Sequence, residues 1–184
     1  MSRKYKIQNP SGVYFVTFTV IDWIDVFIRD EYRAVVISSI RYCQRNKGLE
    51  VYAYCFMTSH IHLIIAANAT PPLQGIIRDL KAFTSRHIRK LLEANEQVFE
   101  SREWILRRMY NAGKYNVNNI DFQFWQQHSH PIELTSNEMI EQKLDYIHFN
   151  PVAAGFVDVP EAWTYSSARD YAGTSKGFID LIYL

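Results

Sequence analysis

Two histidines one residue apart, His60 and His62, are the side chains of this sequence best placed for chemistry. They open an apolar run, Leu63-Ile64-Ile65-Ala66, and follow another, Val51-Tyr52-Ala53-Tyr54-Cys55-Phe56-Met57, with Thr58-Ser59 between. Both runs read as buried strands joined by a turn. Successive strand side chains point to opposite faces, so the two imidazoles share one face. Side by side on a rigid strand they can hold one metal ion or one phosphate. A His-x-His pair on a strand also serves purely structural roles.

Tyr146 and Asn150 lie four residues apart in a segment of helical periodicity, whose apolar stripe is Ile140, Leu144 and Ile147. Residues at that spacing fall on one side of a helix. Gln142 and Lys143 precede Tyr146 there, so a phenol, an amide and a lysine converge. Tyr, His, His and Asn together point to phosphoryl chemistry. A phenol, with an ordinary pKa near 10, is a weak nucleophile at neutral pH. A divalent cation on a phosphate oxygen makes the phosphorus easier to attack. Two imidazoles and an amide oxygen suit Mg²⁺ or Mn²⁺ completed by substrate and water, with imidazole tilting the preference toward Mn²⁺. Taken singly, Tyr146 also suits a core-edge tyrosine, and Asn150 before Pro151 a helix-end residue.

The elements that must position these groups read as follows. Residues 13–20 are β-branched and aromatic and predict a strand. Asp30 begins a helix with Val35, Val36, Ser39, Ile40 and Cys43 as its stripe and Gly48 at its end. After the two strands around Thr58-Ser59, Pro71-Pro72 introduces a helix from Leu73 to Ala94. A further helix spans Ser101 to Tyr110, closed by Gly113, and the stretch from Asp121 to Leu134 holds a strand. Thr135-Ser136-Asn137-Glu138 is a capping-box pattern with Thr135 as cap, and Pro151 stops the helix that it opens. This order predicts a ferredoxin-like α+β fold, a βαββαβ antiparallel sheet packed with helices, plus one C-terminal helix. The 184 residues read as one domain, with a tail from about residue 155.

Hydrophobic content of 48% fits a globular protein. Two cysteines, Cys43 and Cys55, are too few for a disulfide framework and read as buried free thiols of a reducing cytoplasm. Met1-Ser2-Arg3-Lys4-Tyr5 lacks the apolar stretch of a signal segment, and no run is long enough to span a bilayer. Net charge is only +1, but it is unevenly spread: residues 1–114 carry 17 basic against 10 acidic side chains, residues 115–184 carry 3 against 9. A basic body presents a face to a polyanion, or two solvated surfaces simply differ.

Two longer stretches carry a resemblance. Met57-Thr58-Ser59-His60-Ile61-His62-Leu63-Ile64 resembles the His-hydrophobe-His signature of the single-tyrosine HUH transposases. Leu144-Asp145-Tyr146-Ile147-His148-Phe149-Asn150-Pro151-Val152-Ala153-Ala154-Gly155 resembles the catalytic helix of their REP-associated tyrosine transposase branch. Trp163-Thr164-Tyr165-Ser166-Ser167-Ala168 is similar to the tail motif of that branch. Thr58-Ser59 departs from the Pro-Asn that the family often has before the first histidine. The resemblance implies cleavage of single-stranded DNA beside imperfect hairpins, with Tyr146 as nucleophile and a 5′-phosphotyrosine as intermediate. It implies His60, His62 and Asn150 as metal ligands, a monomer or homodimer, and a tail, Trp163 to Tyr171, that covers the active site.

For the DNA surface, Arg78, Lys81, Arg86, Arg89, Lys90, Arg107, Arg108 and Lys114, together with Lys143, are candidate phosphate contacts. A solvated helix face is the plainer reading of each. Phe122, Phe124 and Trp125 suit either base stacking or core packing. Two other functions fit parts of the sequence. One is a non-catalytic DNA-hairpin binder on the same fold. The other is a histidine-triad nucleotide hydrolase, which needs a third histidine where Ile64 stands.

Overall fold

The computed structural model describes residues 7–68, 70–94, 100–114, 121–127 and 130–184, with only the helical backbone at 100 and 101. Four strands form one antiparallel sheet: β1 (Tyr14–Thr19), β2 (Leu49–Phe56), β3 (His60–Ala67) and β4 (Ile132–Glu133), in the spatial order β2-β3-β1-β4. This is the order of the expected ferredoxin-like layout. The period-two alternation of β1 and β3 divides the sheet into two chemically different faces. Tyr14, Val16 and Phe18 with Ile61, Leu63 and Ile65 face one way into the main core. Phe15 and Ile64 face the other way, the side of Thr17, His60 and His62, into a smaller core with Ala53, Cys55 and Met57.

Helices α1 (Asp30–Lys47), α2 (Leu73–Ala94) and α3 (Glu100–Lys114) serve the first face. In α2 the buried residues Leu73, Ile76, Leu80, Thr84, Ile88 and Leu92 recur every three or four positions, the stripe that a packed helix requires. Phe122, Phe124 and Trp125 are all buried in this core, so none is a surface platform. The strand expected in their stretch is the two-residue β4 further along. Gly113 does not close α3 but lies inside it. Residues 121–122 cross there so closely that any Cβ would collide with the Phe122 backbone.

Helix α4 (Asn137–Ala153) covers the second face. Ile147 is wholly buried there, which stabilises the packing by roughly 1.5–3 kcal/mol. Its start and end both differ from expectation. The cap is Ser136, whose Oγ accepts from the Met139 N–H at 3.3 Å, rather than Thr135. Pairing of Leu134 N with the Val13 carbonyl keeps the chain extended one residue longer. Pro151 does not stop the helix; it is buried within the last turn. The terminator is Gly155 at φ 74°, where Phe156 N bonds Pro151 O and Gly155 N bonds Val152 O, both at 2.9 Å. That pair of bonds is a Schellman ending, and it overrides the local bias before proline.

The tail lies along the outer edge of β2. Phe56 N donates to Tyr165 O, Ser167 N to Tyr54 O, and Trp163 Nε1 to Phe56 O, at 2.8–2.9 Å. It thereby satisfies backbone groups that an edge strand would otherwise leave open. The short α5 (Ala168–Tyr171) follows.

Candidate active site

On the second face four rings form a continuous row. Trp23 lies 5.1 Å from His60, His60 lies 4.7 Å from His62, and His62 lies 5.1 Å from Tyr146, centroid to centroid. Phe15 supports the row from β1, stacked on His62 at 5.5 Å and edge-on to Tyr146 at 5.9 Å. Sheet register places the histidines and helix α4 places the tyrosine, so the fold brings together groups 84 residues apart in sequence within one chain. Tyr146 is 47% exposed, open to a substrate rather than sealed in the core.

Each histidine is oriented by a hydroxyl. Thr17, directly across from His62 in the β1–β3 ladder, places Oγ1 2.9 Å from His62 Nδ1. Ser59 Oγ lies 3.2 Å from His60 Nδ1. A hydroxyl accepting from Nδ1 leaves the Nε2 lone pair as the ligating one. At His62 that nitrogen faces the Asn150 amide, 3.5 Å from Nδ2. Burial pushes the His62 imidazole down to about 3, with His60 and Lys143 adding to the effect. Burial also lowers His60, partly opposed by Asp25. Both rings are therefore neutral at neutral pH, the state in which imidazole binds a metal.

The donor set fits a divalent cation. Two neutral imidazoles lie 4.7 Å apart, centroid to centroid, and an amide, whose oxygen and nitrogen exchange places on a half-turn, faces the His62 Nε2. Among the described residues no group of three or more His, Cys, Asp and Glu side chains is gathered, and two imidazoles and an amide carry no negative charge of their own. A cation there would draw its remaining ligands from an anionic substrate. Lys143 adds a positive charge on the same side, its Nζ 5.0 Å from the Phe15 ring centre and 5.4 Å from that of Tyr146.

Several residues of this neighbourhood are not among the candidate site residues that the sequence singles out. Thr17 becomes visible only once the strand register is known. His148 points away from Tyr146 into the protein, its Nε2 2.9 Å from Ser167 Oγ, which also bonds the Tyr54 backbone. The tail motif thus anchors α4 to β2. Trp23 follows β1, whose last residue, Thr19, pairs with His60. Asp22 and Trp23 both adopt left-handed backbone, φ 54° and 57°, which costs about 1–2 kcal/mol per residue without a glycine. Arg108 holds this turn by an ion pair to Asp22 at 2.6 Å.

The remaining basic candidates lie elsewhere. Apart from Lys143, they sit on α2 and α3, which serve the opposite face of the sheet. Arg86, Lys90, Arg107 and Lys114 are exposed. Arg78 pairs with Asp79 at 3.0 Å, and Arg89 with Glu93 at 2.7 Å and the Tyr110 hydroxyl at 3.1 Å. Lys81 departs from the expected surface: it turns inward, donates to the Gln126 carbonyl at 3.1 Å and lies 5.3 Å from the Phe18 ring centre.

Known proteins match this chain in sequence and in fold. A family model described as IS200-like transposase matches residues 14–122, more than half of the chain, including the histidine strand but not α4. A Haemophilus influenzae protein named as a REP-associated tyrosine transposase is 28% identical over 171 residues, 91% of this chain and 85% of that protein. A solved structure described as a REP-associated tyrosine transposase bound to a REP hairpin aligns with a TM-score of 0.68. That alignment covers 100% of this chain and 95% of the other at 16% identity, a likeness of fold. Among the described residues no helix is long and apolar enough to cross a membrane. With the histidine strand inside the matched segment, the chain belongs to the IS200-like transposase family, and its likeness in sequence and fold is to the REP-associated tyrosine transposases.

Proposed function

We propose that this protein is a metal-dependent single-stranded DNA endonuclease and strand transferase. It acts beside DNA hairpins through a covalent 5′-phosphotyrosine on Tyr146. The observation that carries the reading is the exposed Tyr146 ring 5.1 Å from His62, with the Asn150 amide on that histidine's Nε2 side. The hairpin partner is taken from the solved relative described as bound to one.

In this reading the Tyr146 phenol oxygen attacks the scissile phosphorus and the bond to the 3′ oxygen breaks. The phenol proton leaves to solvent, and the departing oxygen takes up a proton to become a 3′-OH. Attack of another 3′-OH on the phosphotyrosine reverses the step and joins a different strand. One phosphodiester is exchanged for another, so no external energy source is required. Mg²⁺ or Mn²⁺ held by His60, His62 and Asn150 would withdraw charge from a phosphate oxygen. Lys143 attracts the DNA backbone to the tyrosine and offsets negative charge on the phenol oxygen as it loses its proton. Thr17 and Ser59 keep the imidazoles turned toward the site. Arg78, Arg86, Arg89, Lys90, Arg107, Arg108 and Lys114 supply sequence-independent phosphate contacts for the hairpin. The free, buried Cys43 and Cys55 suit a reducing cytoplasm, where this reading puts the protein.

The test is a hairpin oligonucleotide with single-stranded flanks, taken from palindromes beside the gene and incubated with Mg²⁺ or Mn²⁺. A denaturation-resistant protein–DNA adduct is expected from the wild type and not from Tyr146→Phe, while hairpin affinity stays within about threefold. Undiminished adduct from the phenylalanine variant refutes the nucleophile. Tight hairpin binding with no adduct under any metal identifies a non-catalytic binder instead.

A further inference from the structure

We infer that Trp23 is a stacking platform for an unpaired nucleobase next to the scissile phosphate, an inference that rests on reading the His60–His62–Tyr146 face as a DNA-cleaving centre. Trp23 is 57% exposed although it is the largest apolar side chain of its turn. The core does not need it there, since the neighbouring Val20, Ile24, Val26 and Phe27 are the buried residues of this stretch. The chain nonetheless holds it against backbone preference, with two successive left-handed residues and the Asp22–Arg108 ion pair fixing the turn. Its ring meets His60 at 71° and 5.1 Å, so the indole stands at the end of the ring row opposite Tyr146.

The occupant follows from this placement. A phosphate held at the histidines brings the base of the same or the adjoining nucleotide to the indole. Every base has a π-face, so a single tryptophan stacks any of them without reading sequence. A base within a duplex has both faces covered by its neighbours, whereas an unpaired base has them free. Phosphate and base are thus bound by different groups, and Trp23 favours unpaired flanks over duplex DNA at the cleavage position.

The experiment measures binding of a fluorescein-labelled oligothymidylate and of an abasic strand of equal length to wild type, Trp23→Ala and Trp23→Phe. Loss of one base–aromatic stack should weaken oligothymidylate binding by Trp23→Ala roughly 5- to 150-fold. Abasic-strand affinity should stay unchanged, and Trp23→Phe should retain most of the preference for bases. Equal weakening on both strands makes Trp23 a structural support of His60 and overturns the inference, as does no weakening on either. A change in oligomeric state at unchanged DNA affinity overturns it too, in favour of a contact between copies. Melting temperatures of the variants, and the phenylalanine variant itself, separate stacking from misfolding. The outcome is independent of the tyrosine chemistry: adduct formation without base preference sinks only the platform, and base preference without adduct sinks only the nucleophile.

Discussion

Lys81 gives the most quantitative test of the packing that supports this site. Its ammonium is wedged between Phe18 and the Gln126 carbonyl, and burial pushes it down to about 8 from an ordinary 10.5. A displacement of that size corresponds to about 3 kcal/mol. The sign follows from linkage: between the two values the unfolded chain binds more protons than the folded one, so stability rises with pH. The contribution is fully present above the unfolded value of 10.5 and is lost as pH falls through 8. Lys81→Met keeps the apolar stem and removes the titration. Stability of the wild type relative to this variant should be flat near pH 7 and grow by about 2–3 kcal/mol by pH 10. Urea unfolding followed by circular dichroism at several pH values measures it, and titrations common to both proteins cancel in the difference. A difference that stays constant from pH 7 to 10 would mean that the ammonium remains hydrated and that the inward placement is wrong.

Three further outcomes follow from other contacts. Thr17→Val removes the hydroxyl on His62 Nδ1 while keeping the side-chain shape, and should raise the Mn²⁺ concentration for half-maximal adduct formation 10- to 100-fold. Thr17→Ser should restore it, and an unshifted valine variant would remove Thr17 from the site. Ser167→Ala leaves His148 Nε2 and the Tyr54 N–H without their hydroxyl in a fully buried place. It should cost about 1–3 kcal/mol in urea unfolding, and a loss well below that range would show that the tail does not anchor α4. Arg86→Ala and Lys90→Ala should each lower the salt dependence of hairpin binding by about one, equally for all hairpin sequences. An unchanged slope would move the phosphate path off α2.

The parts of this molecule that the sequence reveals are those governed by short periods. Alternation along β3 is enough to put His60 and His62 on one face, and the four-residue spacing is enough to put Tyr146 beside Asn150. Register between strands is not written in either period, so Thr17 and Trp23 stay hidden until β1 is laid against β3. The ends of α4 fail for a related reason. Thr135 and Ser136 are equally able caps, and pairing of Leu134 with Val13 chooses between them. Pro151 has a strong local bias, but the bonds around Gly155 and the burial of the last turn outweigh it. Phe122, Phe124, Trp125 and Lys81 belong to the same class. Their residue types suit a surface or a core, and only the way residues 121–126 fold under α2 and α3 decides.

The tail on β2 also sets the order in which the chain can be completed. The bonds between Tyr54 and Ser167 join residues 113 positions apart. At ordinary translation speeds, on the order of ten seconds separate the synthesis of one from that of the other. Until then β2 has a bare outer edge, and α4, already made, has nothing to hold His148. Strand pairing of β1, β2 and β3 can therefore run ahead of the site, whereas the His148–Ser167 contact of α4 forms only after the tail has emerged. The nascent protein can thus carry His60 and His62 in place on β3 before α4, which bears Tyr146, is anchored by the tail.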